Sequence, residues 1–245
     1  MDFLLNLNWL AVGQIILIDI LLGGDNAIVI ALACRNLPPA LRFRGILWGT
    51  VGAIAIRILL ISFAVTMLQI PYLKIVGGLL LFWIGVKLLA EDDDDHDNIT
   101  ASDRLLTAIK TIVVADLVMS IDNVIAVASA AEQTGGEHQL MLVAFGILVS
   151  IPIIVWGSTL VLKLMERFPL VVTFGAGLLG YLAGGMIFSD AAVVRWMEGR
   201  ITIPDLVIPG TGWHLDLASL AGAVAVIILG GWLARRQDKD GEGEG

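Results

Sequence analysis

Apolar residues in this chain do not alternate as in a half-buried strand, nor do they form the narrow stripe of a surface helix. They run in blocks of about 20 residues, the length a helix needs to cross the hydrocarbon core of a bilayer. Short polar or proline-bearing segments separate the blocks. The pattern predicts seven membrane helices, at about 9–33, 44–68, 71–90, 105–131, 139–163, 168–190 and 213–234. Pro38-Pro39, Pro71 and Pro169 fall at or beside helix starts, where a missing N–H costs nothing. Pro152 falls inside the fifth helix and is expected to kink it. The 58% hydrophobic content exceeds the roughly 45–50% of soluble domains, so the predicted class is an all-α polytopic membrane protein.

Inside the first apolar block stand two carboxylates and an amide, Asp19, Asp25 and Asn26, the last two following Gly23-Gly24. A shift of 97 positions lands on Asp116, Asp122 and Asn123 in the fourth block. The same shift places Gly49 on Gly146, Gly78 on Gly175 and Leu81 on Leu178, with no gap. The chain therefore reads as two three-helix repeats, 1–90 and 105–190, joined by an acidic cytoplasmic linker, 91–104. Residues 191–245 supply an external loop, a seventh helix read as a peripheral addition, and a disordered cytoplasmic tail. Three crossings is an odd number, so the second repeat enters the membrane inverted, as in secondary transporters that bind ions at the midplane between repeats.

Lys and Arg set the orientation. Eleven, including Arg35, Arg42, Lys87, Arg167, Arg235 and Arg236, flank one side of the seven-helix arrangement, and Lys74, Arg195 and Arg200 flank the other. The expected topology has the N-terminus outside and the tail in the cytoplasm, in the cytoplasmic (inner) membrane. The net charge of −8 comes largely from Glu91–Asp97 and the tail, and there is no basic patch, which argues against a nucleic-acid partner. The acidic run reads as a solvated linker, with metal gathering as the sharper alternative. Cys34 is alone, which removes disulfides and cysteine-cluster metal sites; it reads as a small buried residue near a helix end.

An ionisable group deep in a membrane helix costs from a few to more than ten kcal/mol, so four such aspartates call for a function. Asp19 and Asp25 lie about 120° apart around a straight helix and share a face only if it breaks; Gly23-Gly24 supplies a break or, alternatively, a close packing point. All four aspartates fall within roughly 5 Å of the midplane, Asp25 level with Asp116 and Asp19 with Asp122. Carboxylate and amide oxygens suit Mg²⁺, Ca²⁺ or Mn²⁺, whereas Zn²⁺ and Cu²⁺ recruit imidazole or thiolate. His96, His138 and His214 lie in loops or at a helix end. Clustered carboxylates in low dielectric hold protons until a cation displaces them, which points to proton/cation antiport. Arg57, deep in the second helix, reads either as a structural partner for an intramembrane Asp or as a tethered counter-ion displaced by metal. Asp190 reads as a solvated helix terminus, and Gly177, Gly180, Gly184 and Gly185 as a tight packing face.

With Gly23-Gly24-Asp25-Asn26 and Ser120-Ile121-Asp122-Asn123, the chain resembles the TerC family of integral membrane proteins, most closely its short YjbE-like branch. The resemblance covers the first six helices. It implies kinship with LysE-type exporters and export of Mn²⁺, with Asp25, Asn26, Asp122 and Asn123 carrying the motif and Asp19 and Asp116 in support. Tellurium resistance gives the family its name, but an acidic pore repels tellurite. The expected partners are a divalent metal ion and membrane lipid; homo-oligomers and contact with the translocation machinery fit the same reading. No tightly bound cofactor and no enzyme activity are expected, since no serine–histidine pair, phosphate loop or redox motif occurs. The rival readings are a non-transporting partner that supplies metal to secreted metalloproteins and a LysE-type organic-cation exporter.

Overall fold

A computed structural model of the chain describes residues 24–61, 70, 72–90, 100–132, 139–197, 205–207 and 214–241. In order, these form α1 (Gly24–Cys34), α2 (Pro39–Ile61), α3 (Leu73–Ala90), α4 (Ala101–Glu132), α5 (Gln139–Arg167), α6 (Leu170–Phe188), α7 (Ala191–Met197), β1 (Asp205–Val207), β2 (His214–Asp216) and α8 (Leu217–Gly241). Five helices, α2, α3, α5, α6 and α8, are long and apolar enough to cross a membrane. Only 22% to 44% of the residues in each of these spans are buried, so most of their apolar surface faces outward. Trp83, Trp156, Phe174 and Trp232 are among the large side chains on it. Outward apolar area on this scale requires lipid as the solvent. The chain is a multi-pass integral membrane protein of helical class.

Most of the predicted first helix lies outside the described residues. The predicted fourth is a continuous helix of 32 residues, which spans roughly 48 Å at 1.5 Å per residue. Helix starts differ from the apolar blocks because polar first turns still form helix. Pro39 opens α2 one turn before the first long apolar stretch, and α4 starts at Ala101 through Ser102-Asp103-Arg104. α5 continues through Pro152. The connection after α6, expected as a loop, contains α7 and an antiparallel ribbon that pairs Asp205 with Asp216, Leu206 with Leu215 and Val207 with His214. The acidic run 91–97 and the last four residues lie outside the described residues.

The chain forms two compact units, each drawing on both halves of the sequence. One comprises residues 1–69 and 101–163, the other residues 70–100 and 164–245. In the first unit α2 lies along α4. Gly49 and Gly52 leave room on α2 for Ile112 and Val113; a β-carbon at Gly52 would come within 2.9 Å of Val113 Cγ2. Gly45 does the same for Leu37 and for Cys34, which is buried as expected. Arg42 secures the α1–α2 turn, its Nε donating to the Leu37 carbonyl (2.9 Å) and its Nη2 to that of Arg35 (3.1 Å). A basic side chain thus satisfies carbonyls where a helix ends.

The second unit is built on α3, α6 and α8, each packed against the other two. α3 and α6 run antiparallel: Gly78 faces Ala183 and Ile187, and Gly85 faces Leu179 and Ala176. The packing role expected of the α6 glycines is observed, and its partner is α8. Gly180 meets Gly222 and Ala223, Gly184 meets Ala218 and Ser219, and Gly177 meets Ile227. The helix expected to be peripheral is therefore a structural part of its unit, held along one stripe of small residues. Its hydropathy alone does not reveal this, because lipid-facing and glycine-facing residues are equally hydrophobic.

Carboxylates cap two helices of this unit, α7 and α8. Asp216 is the N-cap of α8, accepting from the N–H groups of Ala218 (3.0 Å) and Ser219 (3.3 Å) and from the Ser219 hydroxyl (2.9 Å). Asp190, expected to be solvated, is only 2% exposed and accepts from the Ala192 N–H (2.8 Å) at the start of α7. A cap buried by its own turn explains the difference. Lys87 lies over Trp83, Arg167 over Phe168 and Arg236 over Trp232, at 5.5, 5.9 and 4.6 Å from the ring centroids. Aromatic–basic pairs of this kind belong at a membrane–water boundary.

Candidate functional site

The buried stripe of α2 carries Ile46, Thr50, Ala53, Arg57 and Leu60, and the facing stripe of α4 carries Ile112, Ala115, Asp116, Met119 and Ser120. Helical periodicity alone brings the one cation of the α2 stripe to the carboxylate of α4. Arg57 Nη2 and Asp116 Oδ1 form an ion pair, with side-chain exposures of 4% and 7%. Ser120, one turn beyond Asp116, braces both partners. Its hydroxyl accepts from Arg57 Nε (3.1 Å) and donates to Asp116 Oδ2 (3.2 Å). A buried pair of this kind is tolerable only with such extra hydrogen bonds.

Asp116 also lines a cavity with room for about one water molecule, ≈ 10 Å³, together with Asn26, Val29, Ile30 and Ile112. Three of the five walls are apolar. Asn26 is 4% exposed, and neither its Oδ1 nor its Nδ2 has a hydrogen-bond partner among the described residues. Buried amides are ordinarily satisfied, and an orphaned one costs about 1–3 kcal/mol on mutational scales. Asp25, in the first turn of α1, is partly exposed and accepts the Asn26 backbone N–H at 2.8 Å.

Of the six residues expected to hold a cation, two, Asn26 and Asp116, line one cavity, and Asp25 adjoins it. Asp122 and Asn123 lie on α4, but their side chains are outside the described residues, as is the whole of Asp19. Among the described residues no three His, Cys, Asp or Glu side chains converge on a metal position. Arg57 forms the ion pair expected of it. α1 opens at Gly24, where an added β-carbon would meet nothing within 4 Å, so Gly24 is no close packing point. Two polar residues were given no role by the sequence, Ser120, read only as part of the second motif, and Thr50. Ser120 was legible as i+4 from Asp116, on the same helix face. Thr50, two turns before Arg57 on the buried stripe, has an unpartnered hydroxyl among the described residues.

The sequence matches the family described as "Integral membrane protein TerC family" over residues 5–238. It is 46% identical to the membrane protein YjbE of Bacillus subtilis (strain 168), over 83% of this chain and 90% of that one. It is 28% identical to the inner membrane protein YgdQ of Escherichia coli (strain K12), over 79% and 86% respectively. The membrane protein YkoY of B. subtilis (strain 168) is 22% identical, over 91% of this chain and 71% of its own. No solved structure matches the chain. With a family match along nearly its whole length and a relative so alike, the chain belongs to the TerC family of integral membrane proteins.

Proposed function

We propose that the protein is a secondary transporter, not an enzyme, that exports a divalent cation, Mn²⁺ in particular, across the cytoplasmic membrane in exchange for protons. The observation that carries the reading is the orphaned amide of Asn26, which with Asp116 lines a cavity the size of one small ion. A chain does not bury an unsatisfied amide beside a carboxylate for stability. The amide oxygen and the carboxylate are hard donors, suited to Mn²⁺, Mg²⁺ and Ca²⁺. Asp25 and, from the motif, Asp19, Asp122 and Asn123 complete the donor set. A cation entering these carboxylates displaces the protons they hold when empty, which couples metal to proton movement.

The ion and the export direction rest on the family resemblance. The N-outside orientation rests on the Lys and Arg count, and the basic–aromatic pairs at the ends of α3, α5 and α8, all on the side expected to be cytoplasmic, support it. The antiparallel run of α3 and α6 supports an inverted repeat.

The test is Mn²⁺ flux into proteoliposomes with a pH dye inside, beside Ca²⁺ and Mg²⁺, for the wild type, Asp25→Asn and Asp122→Asn. Metal-driven proton movement in the wild type, lost in both variants, is the expected result. A folded wild type that moves none of the three ions would refute it.

A further inference from the structure

We propose that Arg57 is a built-in competitor for the transported cation: its guanidinium holds the Asp116 carboxylate, and the cation binds by taking that carboxylate from it. The inference rests on the cation-site reading above and adds the residue that sets how tightly the site binds.

The double engagement of Asp116 carries the reasoning. Its carboxylate is held by Arg57, with Ser120 bridging the pair, and it also lines the cavity that Asn26 borders. Arg57 is a fixed positive charge that does not lose its proton in a protein. A divalent ion in the cavity would therefore sit a few ångströms from a permanent cation, both drawing on one carboxylate in surroundings that screen poorly. Full ionic contact with both at once is electrostatically unfavourable. Binding weakens the arginine's hold, and release of the cation restores it.

A transporter gains from such an arrangement, because a site of bare carboxylates would hold a divalent ion too tightly to let it go. Asn26 marks the side from which the exchange occurs, since it is nine-tenths buried, lacks a partner among the described residues, and borders the same space. The position 97 residues beyond Arg57 is Ile154, a buried apolar residue, so the second half of the chain supplies no counterpart. An arginine that only fastened α2 to α4 would make the opposite prediction, because its removal would loosen the walls of the cavity and weaken binding.

The experiment is Mn²⁺ binding to the full chain in lipid nanodiscs, read from the magnetic-resonance signal of free Mn²⁺, for the wild type, Arg57→Lys, Arg57→Gln and Asp116→Asn. Competition predicts that Arg57→Gln binds tighter than wild type by about tenfold or more, the lower end of what close buried charge pairs are worth. Arg57→Lys, which keeps the charge but loses the fork that reaches Ser120 and Asp116 together, should fall between them. Equal or weaker binding in the folded Arg57 variants overturns the inference. Should Arg57→Gln not fold, Arg57→Lys decides alone: tighter than wild type supports competition, equal or weaker refutes it. Binding that is lost in Asp116→Asn yet indifferent to position 57 removes the competitor and leaves the site. A folded wild type that binds none of Mn²⁺, Ca²⁺ or Mg²⁺ removes the site itself, and the competitor with it.

Discussion

Replacing Asn26 with leucine should make the protein more stable and abolish transport. The side chain is 4% exposed, and both its polar atoms lack partners among the described residues. Its neighbours in the cavity are Val29, Ile30 and Ile112, with Asp116 the one polar wall. Leucine has the same four-atom branched outline with somewhat greater bulk, which the adjoining cavity takes up, so the exchange removes an unsatisfied amide without overfilling the space. Burying an amide with no partner costs about 1–3 kcal/mol, and Asn26→Leu should return about that much. At roughly 2–4 °C per kcal/mol for a chain of this size, the melting temperature rises by about 2–12 °C. Thermal unfolding of detergent-solubilised protein, followed by tryptophan fluorescence, reads the shift, and flux in proteoliposomes made from the same preparation reads the function. A fall in melting temperature would show that the amide is satisfied where it lies. A rise with undiminished flux would show that Asn26 is no part of the cation path.

Other substitutions test the packing and the ion pair. Gly180→Ala places a β-carbon against the Gly222 carbonyl and within 2.9 Å of Ala223 Cα, so it should destabilise by about 1–3 kcal/mol. Gly231→Ala, with nothing within 4 Å of the new carbon, should be neutral or stabilising by up to about 1 kcal/mol; thermal melting compares the two. Asp216→Ala removes the N-cap of α8 and should cost about 1 kcal/mol, seen as faster hydrogen exchange at Ala218 and Ser219 with the rest of α8 unchanged. Asp116→Asn breaks the buried ion pair and should cost up to about 3–5 kcal/mol, while Asp116→Asn combined with Arg57→Gln, which removes both charges, should recover most of the loss in the same melts.

Much of the helical frame was legible because lipid imposes a blunt rule: every crossing must be long and apolar. The same rule hid the packing. In water, the face of α8 that meets α6 would differ in polarity from its outer face. In a membrane both faces are apolar, and only the spacing of Ala218, Gly222 and Val226 along one stripe marks the inner one. Polar residues were the readable exception, since a charge among apolar residues has few ways to be satisfied. That reasoning led to Arg57, Asp116 and Asn26, and the helical period brings Arg57 and Asp116 face to face. It failed at Asp190, where a buried cap resembles a solvated end in sequence, and it gave Ser120 no role beyond its place in the second motif, although the small hydroxyl joins both members of the ion pair.

The central claim is that the Asp116 carboxylate binds the transported cation, and the most direct measurement is Mn²⁺ flux through the double variant Asp116→Asn/Arg57→Gln. Removing both charges keeps the packing of α2 on α4 and avoids a buried unpaired ion, so loss of function cannot be put down to loss of fold. A double variant that melts near the wild type and moves no Mn²⁺ is the predicted result. One that is equally stable and transports at the wild-type rate would contradict the claim.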